Sequence, residues 1–166
     1  IKNYQINYQY SATIYNQLKA LPKIDNNTLL AFAPVFEDND GTDIASRRSA
    51  MLSDSLYRGI EDGQFLPLPN SKKEINTIAQ TLSSKEKSVV LLSREATKKN
   101  LLSALETKPY QFIHLATHGL ANFQNPRLSA LACYTTDPED DGLFYANEIQ
   151  LKNLQADLVV LSSCES

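Results

Sequence analysis

Four short, nearly unbroken apolar runs constrain this chain more than anything else in it: LLAFA (29–33), KSVVLLS (87–93), FIHLAT (112–117) and DLVVLSS (157–163). Each has the length of a strand, and none alternates apolar with polar residues. That is the pattern of strands buried on both faces. Helical spacing fills the gaps between them. Ser71 and Glu74 in SKKE read as a capping box, followed by Ile75, Ile78, Ala79 and Leu82 on one face. Thr97 reads as the cap of a second helix carrying Leu101, Leu102 and Leu105 and ending near Pro109. Strands alternating with helices predict an α/β fold: a mostly parallel sheet flanked by helices on both faces.

The remaining segments complete the outline. Residues 4–10 alternate like a half-buried strand, and 12–21 read as a short helix stopping at Pro22. From 35 to 70 the composition turns polar (EDNDGTD, SRRSAMLSDS, EDGQ), which predicts a long excursion with a little helix near 51–60. Excursions of this length in a compact domain are usually functional or mobile. LSALACY (128–134) predicts a further strand and 146–151 a short helix. At 166 residues the chain is the size of one domain. A net charge of -3 with no basic stripe argues against nucleic acid as a direct ligand. No apolar run reaches the roughly 18 residues of a membrane span. The N-terminus, IKNYQINYQY, has no signal-peptide core. Two cysteines outside any CxxC pair predict a reducing, cytoplasmic setting.

Both histidines of the chain, His114 and His118, fall within FIHLATHG (112–119). HLATH has the histidine spacing of the HExxH zinc motif, but Leu115 stands where that motif needs Glu and the segment reads as strand, so no metal is expected. His114, between Ile113 and Leu115, reads as a core histidine satisfied by backbone hydrogen bonds. His118 precedes Gly119 where a strand stops, and Cys164 lies where another stops. In open parallel sheets ligands gather at those carboxyl ends. A free cysteine is only a few per cent thiolate at neutral pH and needs a neighbouring base, which a histidine supplies before protonating the leaving amine. His118 and Cys164 are 46 residues apart, histidine first, close to the spacing of about 50 found in caspases. Cys133 reads as a small buried hydrophobe. The acidic run 137–142 reads as an exposed turn, and Arg47 with Arg48 as a solvated pair.

YQFIHLATHG (110–119), NPRLSALA (125–132) and DGLFYANEIQLKNLQADLVVLSSCES (141–166) resemble the CHAT domains, caspase-like modules usually found after tetratricopeptide repeats. YSAT, LLAFAPV, LPNSKKEI and EATKKNLLSAL extend the resemblance over almost the whole chain. It implies a caspase-hemoglobinase fold and the chemistry of clan CD cysteine peptidases, without a cofactor. Carried over by position, His118 becomes general base and acid, Cys164 the nucleophile, and the backbone N–H groups of Gly119 and Cys164 the oxyanion hole. For Glu165 the readings stay open: an influence on the thiol, a wall of the first substrate pocket, or a solvated or hydrogen-bonded structural carboxylate. The resemblance also implies that 1–166 is the N-terminal and central part of one domain, truncated just after the nucleophile strand and inactive by itself. The implied partners are a protein or peptide substrate, upstream tetratricopeptide repeats and the missing C-terminal segment. A non-catalytic scaffold with the same fold is the competing expectation.

Overall fold

The computed structural model describes residues 11–20, 23–24, 27–37, 60–61, 64–82, 87–137, 139–152 and 154–163. The expected strand at 4–10, residues 51–59 of the expected helix near 51–60, Arg47, Arg48, Cys164 and Glu165 lie outside them; Ile60 is in a strand.

Helix α1 (Ala12–Ala20) precedes strand β1 (Leu29–Ala33), all of whose residues are buried. Pro34 follows and has no N–H to continue a ladder, so the strand stops there. The hairpin strands β2 (Ile60–Glu61) and β3 (Gln64–Phe65) lead into α2 (Pro69–Leu82), then β4 (Ser88–Leu92), α3 (Lys98–Thr107) and β5 (Tyr110–Leu115). β4, β1 and β5 pair in parallel in that spatial order, with Ala31 opposite both Val90 and His114.

Because successive strand residues face opposite sides, β1 feeds two cores. Leu29, Ala31 and Ala33 pack with Ile75 of α2, while Leu30 and Phe32 pack with Leu101 of α3, Ile113 and Leu115. Full burial of one such aliphatic side chain contributes about 1.5–3 kcal/mol. The chain crosses from β1 to β4 in one direction and returns past β1 to β5, so a topological switch falls between the carboxyl ends of β1 and β5. That is where open α/β sheets form their crevices.

The α3 start agrees with the sequence: the Thr97 side chain accepts a hydrogen bond from the Asn100 N–H at 3.1 Å. The α2 start does not. The helix begins three residues early, at Pro69 instead of Lys72, because proline fits the first helical position, where its missing N–H is not needed. Ser71 is therefore inside the first turn, and Glu74 is free to act elsewhere.

After β5 come two short strands, β6 (Gly119–Leu120) and β7 (Ala130–Ala132), then β8 (Leu143–Tyr145), which leads directly into α4 (Ala146–Gln150). The expected strand at 128–134 thus belongs to a separate antiparallel sheet, β6-β7-β8, in which Gly119 pairs with Leu131 and Leu131 with Phe144. Glu148 ties this sheet to the main body: it accepts from the Tyr145 N–H at 2.9 Å and pairs with Lys98 of α3 at 2.7 Å.

The last strand, β9 (Ala156–Leu161), pairs in parallel with β5, Leu161 opposite Leu115, and completes the order β4-β1-β5-β9. Here the expected burial fails: Leu158, Val159 and Leu161 are 51%, 43% and 56% exposed. Among the described strands β9 is outermost in the sheet. A cavity of about 270 Å³ between Leu101 of α3, Phe144 and Ile149 includes Val159 and Leu161 in its lining.

Candidate active site

The two histidines go to different places. His114, in mid-strand, faces α2, where its Nε2 donates to Glu74 Oε1 at 2.8 Å. The sequence places it correctly in the core, but its partner is a carboxylate rather than the backbone. The early start of α2 explains the change, since Glu74 is released from capping and sits over β5.

His118 lies past the end of β5, in the turn that leads to β6. Thr117 anchors that turn by donating its hydroxyl to the Ala132 carbonyl at 2.6 Å, and the Ala132 N–H donates to the His118 carbonyl at 2.9 Å. The imidazole is only 7% exposed. Its Nε2 lies 2.8 Å from the Leu66 carbonyl oxygen. A carbonyl only accepts, so Nε2 carries the proton and the neutral ring keeps its lone pair on Nδ1. Burial pushes the His118 pKa below its usual value, and the Leu66 carbonyl, which favours the protonated ring, opposes that only in part. A neutral imidazole with a defined free nitrogen is the form that accepts a proton.

Two aromatic rings hold this imidazole. Phe65 stacks on it with ring centroids 5.5 Å apart and an interplanar angle of 15°, and Phe36 meets it at 5.5 Å and 35°. The two phenyl rings are themselves 4.9 Å apart and root in a cluster with Leu120, Ala130, Ala132 and Leu143 of the small sheet.

Phe36 reaches this position through a strained turn. Val35 and Phe36 have φ of 61° and 56°, a region that is rare for non-glycine residues and rarest for β-branched ones. Such backbone costs roughly 1–3 kcal/mol per residue and persists only where its surroundings enforce it. Here the Phe36 N–H donates to the Pro34 carbonyl at 2.7 Å and the Leu68 N–H to the Val35 carbonyl at 2.6 Å. The turn after β1 and the segment 65–68 are thereby locked together, one supplying Phe36 and the other Phe65 and the Leu66 carbonyl.

Gly119 follows His118. A Cβ built on it would lie 3.1 Å from Ser163 Oγ and 3.4 Å from Ser163 Cβ. The turn after β5 therefore abuts the residue that precedes Cys164. Of the residues singled out in the sequence, His118 and Gly119 are adjacent here; Cys164 and Glu165 lie outside the described residues. The two imidazoles of HLATH have separate partners, Glu74 and the Leu66 carbonyl. Among the described residues no group of three His, Cys, Asp or Glu gathers as a metal site.

Cys133 is fully buried and free, and its thiol is pushed up to about 12, first by burial and then by the nearby Asp140 carboxylate. It is a core hydrophobe, as its sequence context predicts. Sequence reasoning missed Leu66, Phe36, Phe65 and Ser163. The Leu66 carbonyl has no side-chain signature, but two phenylalanines flanking a polar excursion are a usable signal.

No helix among the described residues is long and apolar enough to cross a membrane. The family model for the CHAT domain matches residues 1–166, the whole chain. Comparison with curated proteins and with solved structures returns no match.

Proposed function

This chain belongs to the CHAT domain family, which is related to the caspase-like cysteine peptidases, and on that premise we propose that it is a cysteine endopeptidase. In this reading Cys164 is the nucleophile and His118 its base and acid. His118 takes the thiol proton through its free Nδ1 as the sulfur attacks the carbonyl carbon of a peptide bond. The tetrahedral intermediate collapses, the C–N bond breaks, and the imidazolium returns the proton to the leaving amine. Water, deprotonated by His118, then hydrolyses the thioester and frees the thiol.

The N–H groups of Gly119 and Cys164 bind the oxyanion. One such donor is typically worth about 10²–10³ in rate. Glu165 lines the first substrate pocket. The substrate is a protein or peptide in the cytoplasm, recruited by tetratricopeptide repeats of the same protein.

One observation carries this reading. His118 is a buried, neutral imidazole with its tautomer set by the Leu66 carbonyl, in the turn whose Gly119 touches the residue before Cys164. A purely structural histidine has no need of a free, oriented nitrogen at the carboxyl end of a parallel sheet.

The test is to incubate the full-length protein with a proteome-derived peptide library and read new termini by mass spectrometry. Cleavages present in the wild type and lost in both Cys164→Ala and His118→Ala are expected. No cleavage with the wild type, or cleavage that survives Cys164→Ala, overturns the peptidase reading; the former favours a non-catalytic scaffold.

A further inference from the structure

β5 and β9 are held together by their ladder only as far as Leu115 and Leu161; the last bond between them among the described residues runs from the Ser162 N–H to the Leu115 carbonyl at 2.8 Å. Beyond it the partners change. The continuation of β5 bonds to the small sheet, through the Ala132 N–H to the His118 carbonyl at 2.9 Å. Among the described residues no backbone bond beyond it joins these two strand ends.

A side-chain contact takes over at that level. Ser163 occupies the space beside Gly119 so closely that a Cβ there would stand 3.1 Å from its Oγ. Gly142 is the one glycine among the described residues with a positive φ, at 67°. The Gly119 backbone therefore tolerates a side chain conformationally, and a Cβ there requires the Ser163 side chain to give by a few tenths of an ångström. Glycine at 119 and a small residue at 163 form one matched pair, in which the volume of one sets how near the other approaches.

We infer that Ser163 is a positioning residue for the reaction proposed above, on which this inference rests. Its side chain, seated on Gly119, sets the distance between the turn bearing His118 and the residue that precedes Cys164. In that reaction the two oxyanion donors belong to Gly119 itself and to the residue after Ser163. The contact therefore spaces the donor pair. A displacement of a few tenths of an ångström weakens a hydrogen bond that is made most strongly in the transition state, so the effect falls on kcat and leaves KM unchanged.

A double-mutant cycle with Gly119→Ala and Ser163→Ala in the full-length protein tests this, using a peptide that the wild type cleaves and following kcat, KM and Tm. Gly119→Ala is expected to lower kcat about 10–100-fold at constant KM, by pushing the chain ends apart. Ser163→Ala alone, which loosens the contact, lowers it only a few-fold. Adding Ser163→Ala to Gly119→Ala removes the Oγ that the new methyl meets and is expected to recover about tenfold of the lost kcat. Ser163→Thr, which adds a methyl group beside a native Gly119, lowers kcat at constant KM and keeps the test alive if Gly119→Ala does not fold.

Losses that simply add, with the double variant slower than either single one, overturn the inference. So does a double variant that recovers Tm but not kcat, which leaves the contact structural only. A wild type that cleaves nothing overturns the peptidase reading and the positioning role with it, whereas the Tm cycle still reports the contact itself.

Discussion

His114 and His118 are four residues apart on one strand and its exit turn, yet they illustrate two different uses of the same side chain. His114 is in mid-strand with its Nε2 on the Glu74 carboxylate. The partner is a charged group on a helix, and the pair joins α2 to β5. His118 is past the strand end with its Nε2 on a backbone carbonyl and its ring against two phenylalanines that also touch each other. A neutral partner fixes the tautomer without holding the proton as strongly as a carboxylate does. The first arrangement favours a fixed histidine, and the second leaves one nitrogen available for proton transfer.

The largest effect that sharpens this contrast comes from replacing each histidine by glutamine. His118→Gln is expected to lower kcat/KM about 10²–10⁴-fold. His114→Gln is expected to leave activity per folded molecule within about threefold of the wild type, but to lower the free energy of unfolding by about 0.5–1.5 kcal/mol, because the amide keeps a donor for Glu74 but fills the buried site of the ring less well. Glu74 is partly exposed, and solvent keeps the loss toward the lower end. Denaturant unfolding and steady-state kinetics on the two variants separate the roles. Equal kinetic damage from both would erase the distinction.

The effect of pH comes next in size. With the His118 pKa depressed by burial, the basic, active form dominates at neutral pH. The rate should fall on the acid side only as pH drops through a value below the ordinary 6.5 of histidine. Stability follows the same sign. The unfolded chain binds the proton first, so the stability contributed by a neutral His118 is intact above 6.5 and is lost as pH falls from there through the folded pKa. Phe65→Leu keeps the burial but removes a π-face from the imidazolium, which is worth about 0.5–1 kcal/mol. The acid limb of kcat/KM is then expected to move further down by about half a pH unit. An unmoved limb would show that the ring only fills space.

The smallest effect is an expected zero. In a Cys164→Ala variant of residues 1–166 the other thiol of this sequence, Cys133, is fully buried and pushed up to about 12. Iodoacetamide at pH 7.5 should leave Cys133 unlabelled until the protein is unfolded. Native labelling, read by intact mass, would break the assignment of Cys133 to the core.

Several of these features were legible before any coordinates. The four apolar runs are the four strands of the main sheet, and the Thr97 cap, the 146–151 helix, the buried Cys133 and the core position of His114 read directly from local chemistry. Local chemistry suffices where the determinant is a neighbour in sequence or simple periodicity. It failed at Ser71 and Glu74, where two patterns competed: a capping box starting at Ser71, and a helix starting at Pro69 that frees Glu74 for His114. The choice depended on a strand 40 residues away. It failed again at β9, whose composition reads as buried on both faces although its position in the sheet leaves it exposed.

The sequence by itself determined the strand–helix alternation, the parallel sheet and the placement of His118-Gly119 past the end of a strand, because periodicity and strand termination are encoded within a few residues. Only the tertiary structure decided what surrounds His118. The Leu66 carbonyl, the rings of Phe36 and Phe65, and Ser163 against Gly119 come from segments 45 to 82 residues away along the chain. A backbone carbonyl carries no residue identity, and a steric fit between a serine side chain and a glycine exists only once distant segments lie side by side.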